Sequence, residues 1–285
     1  MNDTTTDNPL QFAEDVCALP LVRRLAALLD RDPTSLREGD PLPHGWHVTL
    51  FNVPTPQSQL RADGAASLGV TLPDIGLPRL MLGGRQTRFV GDIPIGARVR
   101  RETQQGSVQM KQGRTGRFAL VKVELRIFVG DAREAAVVET QDYVLREASG
   151  ASLAAASVSS TVAAQAQPVT SAMPAVTRII VPDEALLFRY SAITDNPHRI
   201  HYDLAYATGT EGYPALVVNG SIPTMFLLEL FRLTVGREPV SLTSRNMAPM
   251  FCGQPLQLNA LNEGASWRLW AQNAQGTTTF DARAQ

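Results

Sequence analysis

A stretch of small, uncharged residues near the middle of the chain limits how the chain can fold. Residues 148–176 read ASGASLAAASVSSTVAAQAQPVTSAMPAV, and no charged side chain lies between Glu147 and Arg178. Small side chains without periodicity cannot bury enough surface to hold a unique fold, which favours a linker. An Ala-rich helix is the alternative, because alanine has the highest helix propensity. We therefore predict an N-terminal domain at residues 1–147 and a C-terminal domain at residues 177–285.

The N-terminal part shows a helical pattern followed by strand patterns. Apolar residues at helical spacing predict a helix over residues 15–29 and a second, short helix over residues 44–51. The Gly- and Pro-rich residues 54–84 form a segment too long for an ordinary loop, and we expect it to contact a ligand or partner. Strand-forming residues predominate from Thr87 onward, and they predict three strands at residues 99–110, 118–129 and 135–146.

The C-terminal part repeats this order. Residues 178–181 favour a short strand and residues 204–207 a short helix. Residues 219–235 predict a long helix that is apolar on nearly every side, which is typical of a buried helix. Four strands are predicted after it, at residues 240–247, 255–261, 266–273 and 277–283. A buried helix followed by a curled antiparallel sheet, occurring twice, predicts an α+β chain built from a duplicated unit.

The composition argues against several classes of protein. The 285 residues include 26 basic and 27 acidic side chains, whereas nucleic-acid-binding proteins normally have a basic excess. Cys17 and Cys252 lie far apart, and no short spacing of Cys and His predicts a metal site or a disulfide framework. No apolar run approaches the roughly 18 residues that span a bilayer, and no signal-peptide pattern is apparent. We expect a cytoplasmic protein with no metal, nucleic-acid or membrane partner.

Residues 190–203, YSAITDNPHRIHYD, concentrate the side chains that can carry acid–base chemistry. They include His198 and His201, two of the four histidines in the chain. Asp195 and Asn196 precede Pro197, and Asn-Pro favours a turn. Histidine beside a carboxylate or amide can hold a water molecule and move its proton near neutral pH. A turn of this kind between two elements is a usual place for reactive groups.

Two structural explanations compete with this interpretation. Asn196 can serve only to shape the turn, and Asp203 can serve only to cap the helix that follows. His198 and His201 also have the i, i+3 spacing of a metal-ligand pair, but a third ligand would have to come from elsewhere. Spacing alone leaves these alternatives open.

The start of the long predicted helix is a candidate site for developing negative charge. Glycine at position 220 allows a ligand carbonyl to approach the backbone closely, and Asn219 precedes it. The free N–H groups and the positive end of a helix favour negative charge at this place. Addition of water to a conjugated thioester needs a donor of this kind in addition to a base.

Several runs of residues resemble one known family. The run FRYSAITDNPHRIHYDLAYATGTEGYPALVVNG is similar to the signature of MaoC-type hydratases. The similarity is greatest to the branch that contains mesaconyl-C4-CoA hydratases, itaconyl-CoA hydratases and mitochondrial-type 3-hydroxyacyl-thioester dehydratases. Further similar runs cover residues 43–51, 77–85, 141–147 and 245–253.

The resemblance implies a double hot-dog fold and the syn hydration of a trans-enoyl-CoA, with coenzyme A present only as part of the substrate and no other cofactor. It implies that His201 is the catalytic histidine and that Gly220 supplies the oxyanion-stabilising amide. The family motif usually has Asp five residues before this histidine, where this chain has Asn196. We therefore expect Asn196 to orient the water, with Asp195 as the rival and with His198, Asp203 and Asn219 as supporting residues.

Four arginines lie within the similar runs: Arg79, Arg85, Arg199 and Arg245. Arginine suits the phosphates of coenzyme A and the free carboxylate of a dicarboxylic acyl group. We expect Arg245 to bind coenzyme A and Arg79 or Arg85 to bind the acyl end, whereas surface salt bridges are the structural alternative.

Three functions remain open at this point. The first is a hydratase for itaconyl-CoA or mesaconyl-C4-CoA, and the second is a 3-hydroxyacyl-carrier-protein dehydratase. The third is a non-catalytic hot-dog module that only binds acyl-CoA. The double hot-dog resemblance implies that two chains can pair further, so a homodimer is one candidate assembly, and the sequence does not give the oligomeric state.

Overall fold

The computed structural model describes residues 9–66, 72–73, 75–77, 79–113, 116–147 and 175–285. The N-terminal half contains β1 (Gln11–Val16), α1 (Leu19–Leu28), β2 (Arg79–Phe89), β3 (Arg98–Gly113), β4 (Gly116–Val129) and β5 (Val137–Arg146). The C-terminal half contains β6 (Val176–Ile180), α2 (Glu184–Ile193), α3 (Leu204–Gly209), α4 (Ile222–Val235), β7 (Ser241–Asn246), β8 (Leu256–Asn262), β9 (Trp267–Gln272) and β10 (Thr278–Ala284). Short 3₁₀ helices cover Pro33–Ser35, Trp46–Thr49, Gln57–Gln59 and Arg199–His201.

All ten described strands form one antiparallel sheet. Their order is β1-β3-β4-β5-β2-β7-β10-β9-β8-β6, so each half contributes five strands. The halves join where β2 pairs with β7, with Gly84 opposite Arg245 and Arg88 opposite Ser241. The α+β class is confirmed, and the continuous sheet carries both halves on one surface.

The main apolar core is shared by the two halves. Helix α4 is buried from Ile222 to Phe231 and packs against β8 and β9. The sequence of α4 is apolar on nearly every side, which predicted a fully buried helix. Leu233 is 77% exposed, so the last turn of α4 is not buried on every side. Helix α1 packs against α2 of the other half. None of the described helices is long and apolar enough to cross a membrane.

The predicted helix over residues 15–29 is wrong at its start. Asp15 and Val16 belong to β1, which pairs with β3, and α1 begins only at Leu19. Pro20 explains the boundary, because proline lacks an N–H group and is tolerated only in the first turn of a helix. The first described element of the N-terminal half is therefore a strand.

The strand β2 begins at Arg79, within residues 54–84, which were predicted to be irregular because they are rich in glycine and proline. A Cβ atom at position 84 would collide with the backbone oxygen of Ser244 on β7. The β2–β5 pairing also shifts register between Leu82 and Gly84. Glycine at position 84 therefore permits a close strand approach beside a bulge, and does not mark a loop.

Two further helices differ from the sequence-based expectation. Helix α2 was not predicted, although Asp183 caps it by accepting a hydrogen bond from the Leu186 amide at 2.7 Å. Helix α4 begins at Ile222, three residues after the predicted start. Residues 148–174 of the predicted linker lie outside the described residues, and Val176 opens β6. The domain limits proposed from the sequence therefore stay predictions.

Candidate active site

His201 is held in one orientation by a backbone carbonyl. It ends the 3₁₀ helix Arg199–His201, and its Nδ1 lies 2.7 Å from the Val217 oxygen. A carbonyl oxygen only accepts, so Nδ1 carries the proton and Nε2 keeps a free lone pair. The residue is 7% exposed, and burial lowers the pKa of His201 to about 4. The ring is therefore neutral at pH 7, with a basic nitrogen available.

The carbonyl that orients His201 belongs to a segment leading into α4. The Val217 amide donates to the Ile200 oxygen at 2.9 Å, and the Val218 amide donates to the Met250 oxygen at 2.8 Å. The chain continues from there through Asn219 to Gly220. Because the same short segment holds the imidazole and ends at Gly220, the two predicted catalytic groups belong to one local structure.

Gly220 lies immediately before the N-terminal end of α4. Asn219 Oδ1 accepts a hydrogen bond from the Ser221 amide at 3.1 Å, whereas the Gly220 amide has no partner among the described residues. A Cβ at position 220 would lie 3.3 Å from both polar side-chain atoms of Asn246. Glycine therefore lets the Asn246 amide approach the backbone, and the free N–H lies at the positive end of a helix.

Asp195 and Asn196 occupy different environments. Asp195 is exposed and has a φ of 45°, just after the end of α2. The Asn196 amide donates to the Ser191 oxygen at 2.9 Å, which is the bond that closes a Schellman motif. Asn196 is half-buried, and its Oδ1 accepts from the His198 amide at 3.2 Å. Asp195 therefore has a helix-terminating position, and Asn196 shapes the turn that leads to His198. The choice between the two as partner of His201 stays a prediction.

His198 packs edge-on against His201, with ring centroids 5.6 Å apart. Its Nε2 lies 4.0 Å from Asp63 Oδ2, and burial lowers the pKa of His198. Asp63 also accepts a hydrogen bond through its backbone oxygen from the Arg199 amide, at 2.8 Å. Glycine is required at position 64, because a Cβ there would collide with the Pro197 oxygen. The irregular segment of the N-terminal half thus lies directly on the histidine turn.

Asp203 caps α3, as the sequence predicts, by accepting a hydrogen bond from the Tyr206 amide at 3.0 Å. It also accepts from Arg199, whose Nη2 lies 2.8 Å away. The Arg199 guanidinium stacks over the Tyr206 ring at 4.2 Å from its centroid. Arg199 is therefore held in a local structural pair.

The other three arginines have different surroundings, and one of them, Arg79, is linked to Arg199, because Glu211 binds both Arg79 and the hydroxyl of Tyr206. Arg79 pairs with Glu211 at 2.6 Å, and Arg245 is exposed on β7. Arg85 is largely buried and lies 3.8 Å from Glu139. The structure does not bring Arg79, Arg85, Arg199 and Arg245 together into one cluster. Among the described residues, no group of three or more His, Cys, Asp or Glu side chains is arranged to hold a metal ion.

A set of polar side chains on the inner face of β2, β3 and β5 was missed by the sequence reasoning. We call it the polar belt, and it consists of Arg85, Thr87, Arg101, Thr103, Glu139 and Gln141. Glu139 lies at its centre and is 4% exposed. Alternation on β3 was a usable signal, because Arg101 and Thr103 occupy the same face as Val99.

Glu139 is the acceptor for much of the belt. It accepts hydrogen bonds from Thr87 at 2.7 Å and from Gln141 at 2.6 Å, and its Oε2 lies 3.1 Å from His47 Nε2. Burial by itself would raise the pKa of Glu139, but the charge of Arg85 and these hydrogen bonds hold it well below its usual range. Glu139 is therefore a buried carboxylate whose charge is compensated.

The belt is connected to the start of α4. Tyr190 is 1% exposed, and burial raises the pKa of its phenol, while the charge of Arg85 and the nearby Ser221 side chain act to lower it. Asn246, next to Gly220, donates from Nδ2 to the Leu82 oxygen of β2 at 3.1 Å. The candidate site thus extends from His201 past Gly220 to the N-terminal half.

Comparison with known proteins places this architecture in a family. The model of the family "hydroxyacyl-thioester dehydratase type 2" matches residues 45–252. The mesaconyl-C(4)-CoA hydratase of Chloroflexus aurantiacus is 37% identical over 276 residues, which cover 96% of this chain and 94% of that protein. This agreement over nearly the whole length confirms the MaoC-type resemblance of the sequence.

Solved structures agree on the fold. A MaoC-like dehydratase from Phytophthora capsici has a TM-score of 0.70 at 13% identity and covers 97% of this chain and 94% of its own. A Mycobacterium tuberculosis protein with a double hotdog fold has a TM-score of 0.55 at 12% identity and covers 98% and 95% of the two chains. The double hot-dog prediction is confirmed. With the full-length match described above, these findings show that the chain is a MaoC-like hydro-lyase and belongs to the hydroxyacyl-thioester dehydratase type 2 family.

Proposed function

We propose that this protein reversibly hydrates a short dicarboxylic enoyl-CoA thioester, either mesaconyl-C4-CoA or itaconyl-CoA. His201 activates the water, and the Gly220 amide stabilises the thioester oxygen. The substrate class is supported by the 37% identity to a mesaconyl-C(4)-CoA hydratase over 96% of this chain. The observation that carries the mechanism is the hydrogen bond from His201 Nδ1 to Val217, which leaves Nε2 as a neutral base.

In the hydration direction, His201 Nε2 removes a proton from water while the water oxygen bonds to the β-carbon of the enoyl thioester. The electron pair of the double bond moves to the α-carbon and the thioester carbonyl, and the oxygen becomes enolate-like. The Gly220 N–H donates to this oxygen at the positive end of α4. The protonated His201 then returns its proton to the α-carbon, which restores the neutral ring and completes syn addition.

Asn196 has the role of orienting the water. An amide cannot accept a proton as a base, so proton transfer rests on His201 alone. Arg245, exposed on β7, is assigned to the phosphates of coenzyme A, and Arg85, largely buried near Tyr190, to the acyl end. Arg79 and Arg199 already have carboxylate partners in Glu211 and Asp203.

The test is to assay the purified protein and three variants on mesaconyl-C4-CoA, itaconyl-CoA and crotonyl-CoA. We expect His201→Ala to keep its thermal midpoint and to lose turnover by at least about a hundredfold. Asn196→Ala is expected to lose turnover, and Asp195→Ala is expected to retain it. An unchanged rate in His201→Ala refutes the mechanism, whereas binding of acyl-CoA without turnover in the wild type and in His201→Ala favours a module that only binds acyl-CoA.

The same assay separates the carrier-protein alternative. A protein that dehydrates a long-chain 3-hydroxyacyl-carrier-protein and ignores all three CoA thioesters is a dehydratase of fatty-acid synthesis. Preference for either dicarboxylic thioester over crotonyl-CoA supports the proposed substrate class. Loss of turnover in Asp195→Ala alone would show that the partner of His201 is one position earlier in the chain.

A further inference from the structure

The polar belt separates two apolar clusters on the inner face of the N-terminal half. Along β3, Val99 belongs to the main core and Val108 to the smaller cluster, and Arg101 and Thr103 lie between them. Along β5, Val137 and Tyr143 belong to the two clusters in the same way. A fold that only needed a core would place apolar residues at these inward positions.

Arg101 is the least compensated charge of the belt. It is 9% exposed, and among the described residues no carboxylate lies within ion-pair distance of its guanidinium. Its contact is the Phe51 ring, whose centroid lies 5.1 Å from Cζ. A buried cation without an ionic partner is unfavourable for folding, so its presence calls for a reason other than stability.

The acids nearest to Arg101 are already engaged. Asp15 accepts hydrogen bonds from the amides of Phe51 at 2.6 Å and Val16 at 2.7 Å. Glu139 accepts from Thr87, Gln141 and His47 as described above. Their charges act on Arg101 only through space.

Buried polar atoms without hydrogen bonds gather around the same region. Among the described residues they include Arg85 Nε, Arg101 Nε and Thr103 Oγ1 of the belt. Two more of these buried atoms without a hydrogen bond are Ser191 Oγ, in α2, and Asn246 Oδ1, beside Gly220. Buried polar groups are normally hydrogen-bonded, and such a concentration of unpaired ones is typical of a place that receives a polar ligand.

We propose that the polar belt is the subsite for the free carboxylate of the acyl group, with Arg101 and Arg85 as its cationic groups. This inference rests on the proposed function, because it assumes a thioester with a second carboxyl group. Two buried guanidinium groups suit a carboxylate, which each can meet with paired N–H donors. Arg85 lies close enough to Tyr190 for its charge to act on the phenol, and Asn246, beside Gly220, donates to the Leu82 oxygen of β2, the strand that carries Arg85. These contacts link the belt to the start of α4, where the thioester carbonyl is assigned.

The test compares substrates that differ in the second carboxylate. We expect Arg101→Met to raise KM for mesaconyl-C4-CoA by about tenfold to a hundredfold, because a charge-assisted contact is lost. Its kinetics with crotonyl-CoA, which has no second carboxylate, are expected to stay within about twofold of wild type. Arg101→Lys, which keeps the charge but not the paired donors, is expected to recover part of the loss.

The matched control is Arg100→Met, because Arg100 is the neighbouring residue on the opposite face of β3, where it pairs with Glu102. Arg100→Met is expected to leave KM unchanged for both mesaconyl-C4-CoA and crotonyl-CoA. The thermal midpoint of Arg101→Met is expected to equal or exceed that of wild type, since the removed charge has no ionic partner. A lowered midpoint with equal losses on both substrates would give Arg101 a structural role and overturn the subsite.

Failure of the subsite and failure of the proposed function give different results. A wild type that hydrates crotonyl-CoA but not mesaconyl-C4-CoA or itaconyl-CoA refutes the subsite and leaves hydratase chemistry intact. A wild type that hydrates none of the three refutes the proposed function. In that case, calorimetry with free mesaconate decides the subsite: binding that Arg101→Met abolishes supports it, and absent or unchanged binding refutes it.

Discussion

The inward faces of the two halves of the sheet differ in chemistry. In the C-terminal half, the strands around α4 present small and apolar side chains, including Leu258, Ala271 and Phe280. In the N-terminal half, the corresponding layer is interrupted by the polar belt around Glu139 and Arg101. The two halves share one sheet, but one presents an apolar layer that packs against α4 and the other a polar layer, to which we assigned the free carboxylate of the acyl group.

The variant with the largest expected effect tests whether the N-terminal half is stabilised by the buried Glu139 carboxylate, which balances the charge of Arg85. Glu139→Gln keeps the shape but leaves Arg85 buried without its acid, and we expect a loss of about 3–5 kcal/mol in the free energy of unfolding. Glu102→Gln, at a partly exposed pair with Arg100, is expected to lose only about 0.5 kcal/mol. Urea denaturation measures both. Equal small losses would show that the polar belt does not stabilise the fold.

The Glu139 effect has a defined pH dependence. Its folded pKa lies below the usual 4.5, so its contribution is present above pH 4.5 and is lost as the pH falls below that value. The difference between wild type and Glu139→Gln should therefore shrink in acid. Phe231→Ala, at a fully buried position of α4, is expected to lose about 3–5 kcal/mol with little pH dependence.

The second prediction concerns the contact between the halves. In Gly64→Ala the new Cβ would press on the Pro197 oxygen, and we expect turnover to fall roughly tenfold to a hundredfold as the histidine turn shifts. Gly39→Ala is the matched control, because its φ of +89° resembles the +82° of Gly64 but no atom lies within 4 Å of the added Cβ. Steady-state kinetics and thermal midpoints separate the two effects. Equal turnover in both variants would mean that the N-terminal segment does not position the histidines.

The third prediction uses the burial of His201. Because the pKa of His201 is lowered to about 4, the ring stays neutral well below pH 6.5 and is protonated only in stronger acid. We expect kcat/KM to fall about tenfold per pH unit only below pH 4, measured in short assays with stability controls. A fall in kcat/KM that begins near pH 6.5 would mean that the His201 ring is solvated in the working enzyme.

The smallest expected effect concerns Asp195. Its left-handed backbone after α2 suits glycine, so Asp195→Gly is expected to change stability by no more than about 0.5 kcal/mol and to leave turnover nearly unchanged. Asn196→Gly, one residue later, is the comparison variant and is expected to lose turnover. Kinetics that reverse this order would reassign the water-orienting role to the carboxylate.

Local sequence patterns predicted a large part of the secondary structure. They failed at elements whose structure depends on contacts between residues distant in the chain. The strands β3, β4 and β5 and the helix α4 were recognised, because alternation and apolar density reflect burial directly. The last two residues of β1, Asp15 and Val16, were taken for the start of a helix, because their strand structure depends on pairing with β3. The start of β2 was missed because it contains glycines, of which Gly84 permits the close contact with β7. The roles assigned to His201, Asn196 and Gly220 stay predictions until variants are measured.

The sequence by itself determined the duplicated α+β plan, the family resemblance and the histidine turn, because these are written in short runs of neighbouring residues. Only the tertiary structure decided which nitrogen of His201 is free and that Asp63 lies against the histidine turn. It also decided that Arg101 is buried with no ionic partner in the described part of the chain. These facts depend on groups that are distant in the chain. Burial and pairing are properties of the assembled sheet, and no local pattern encodes them.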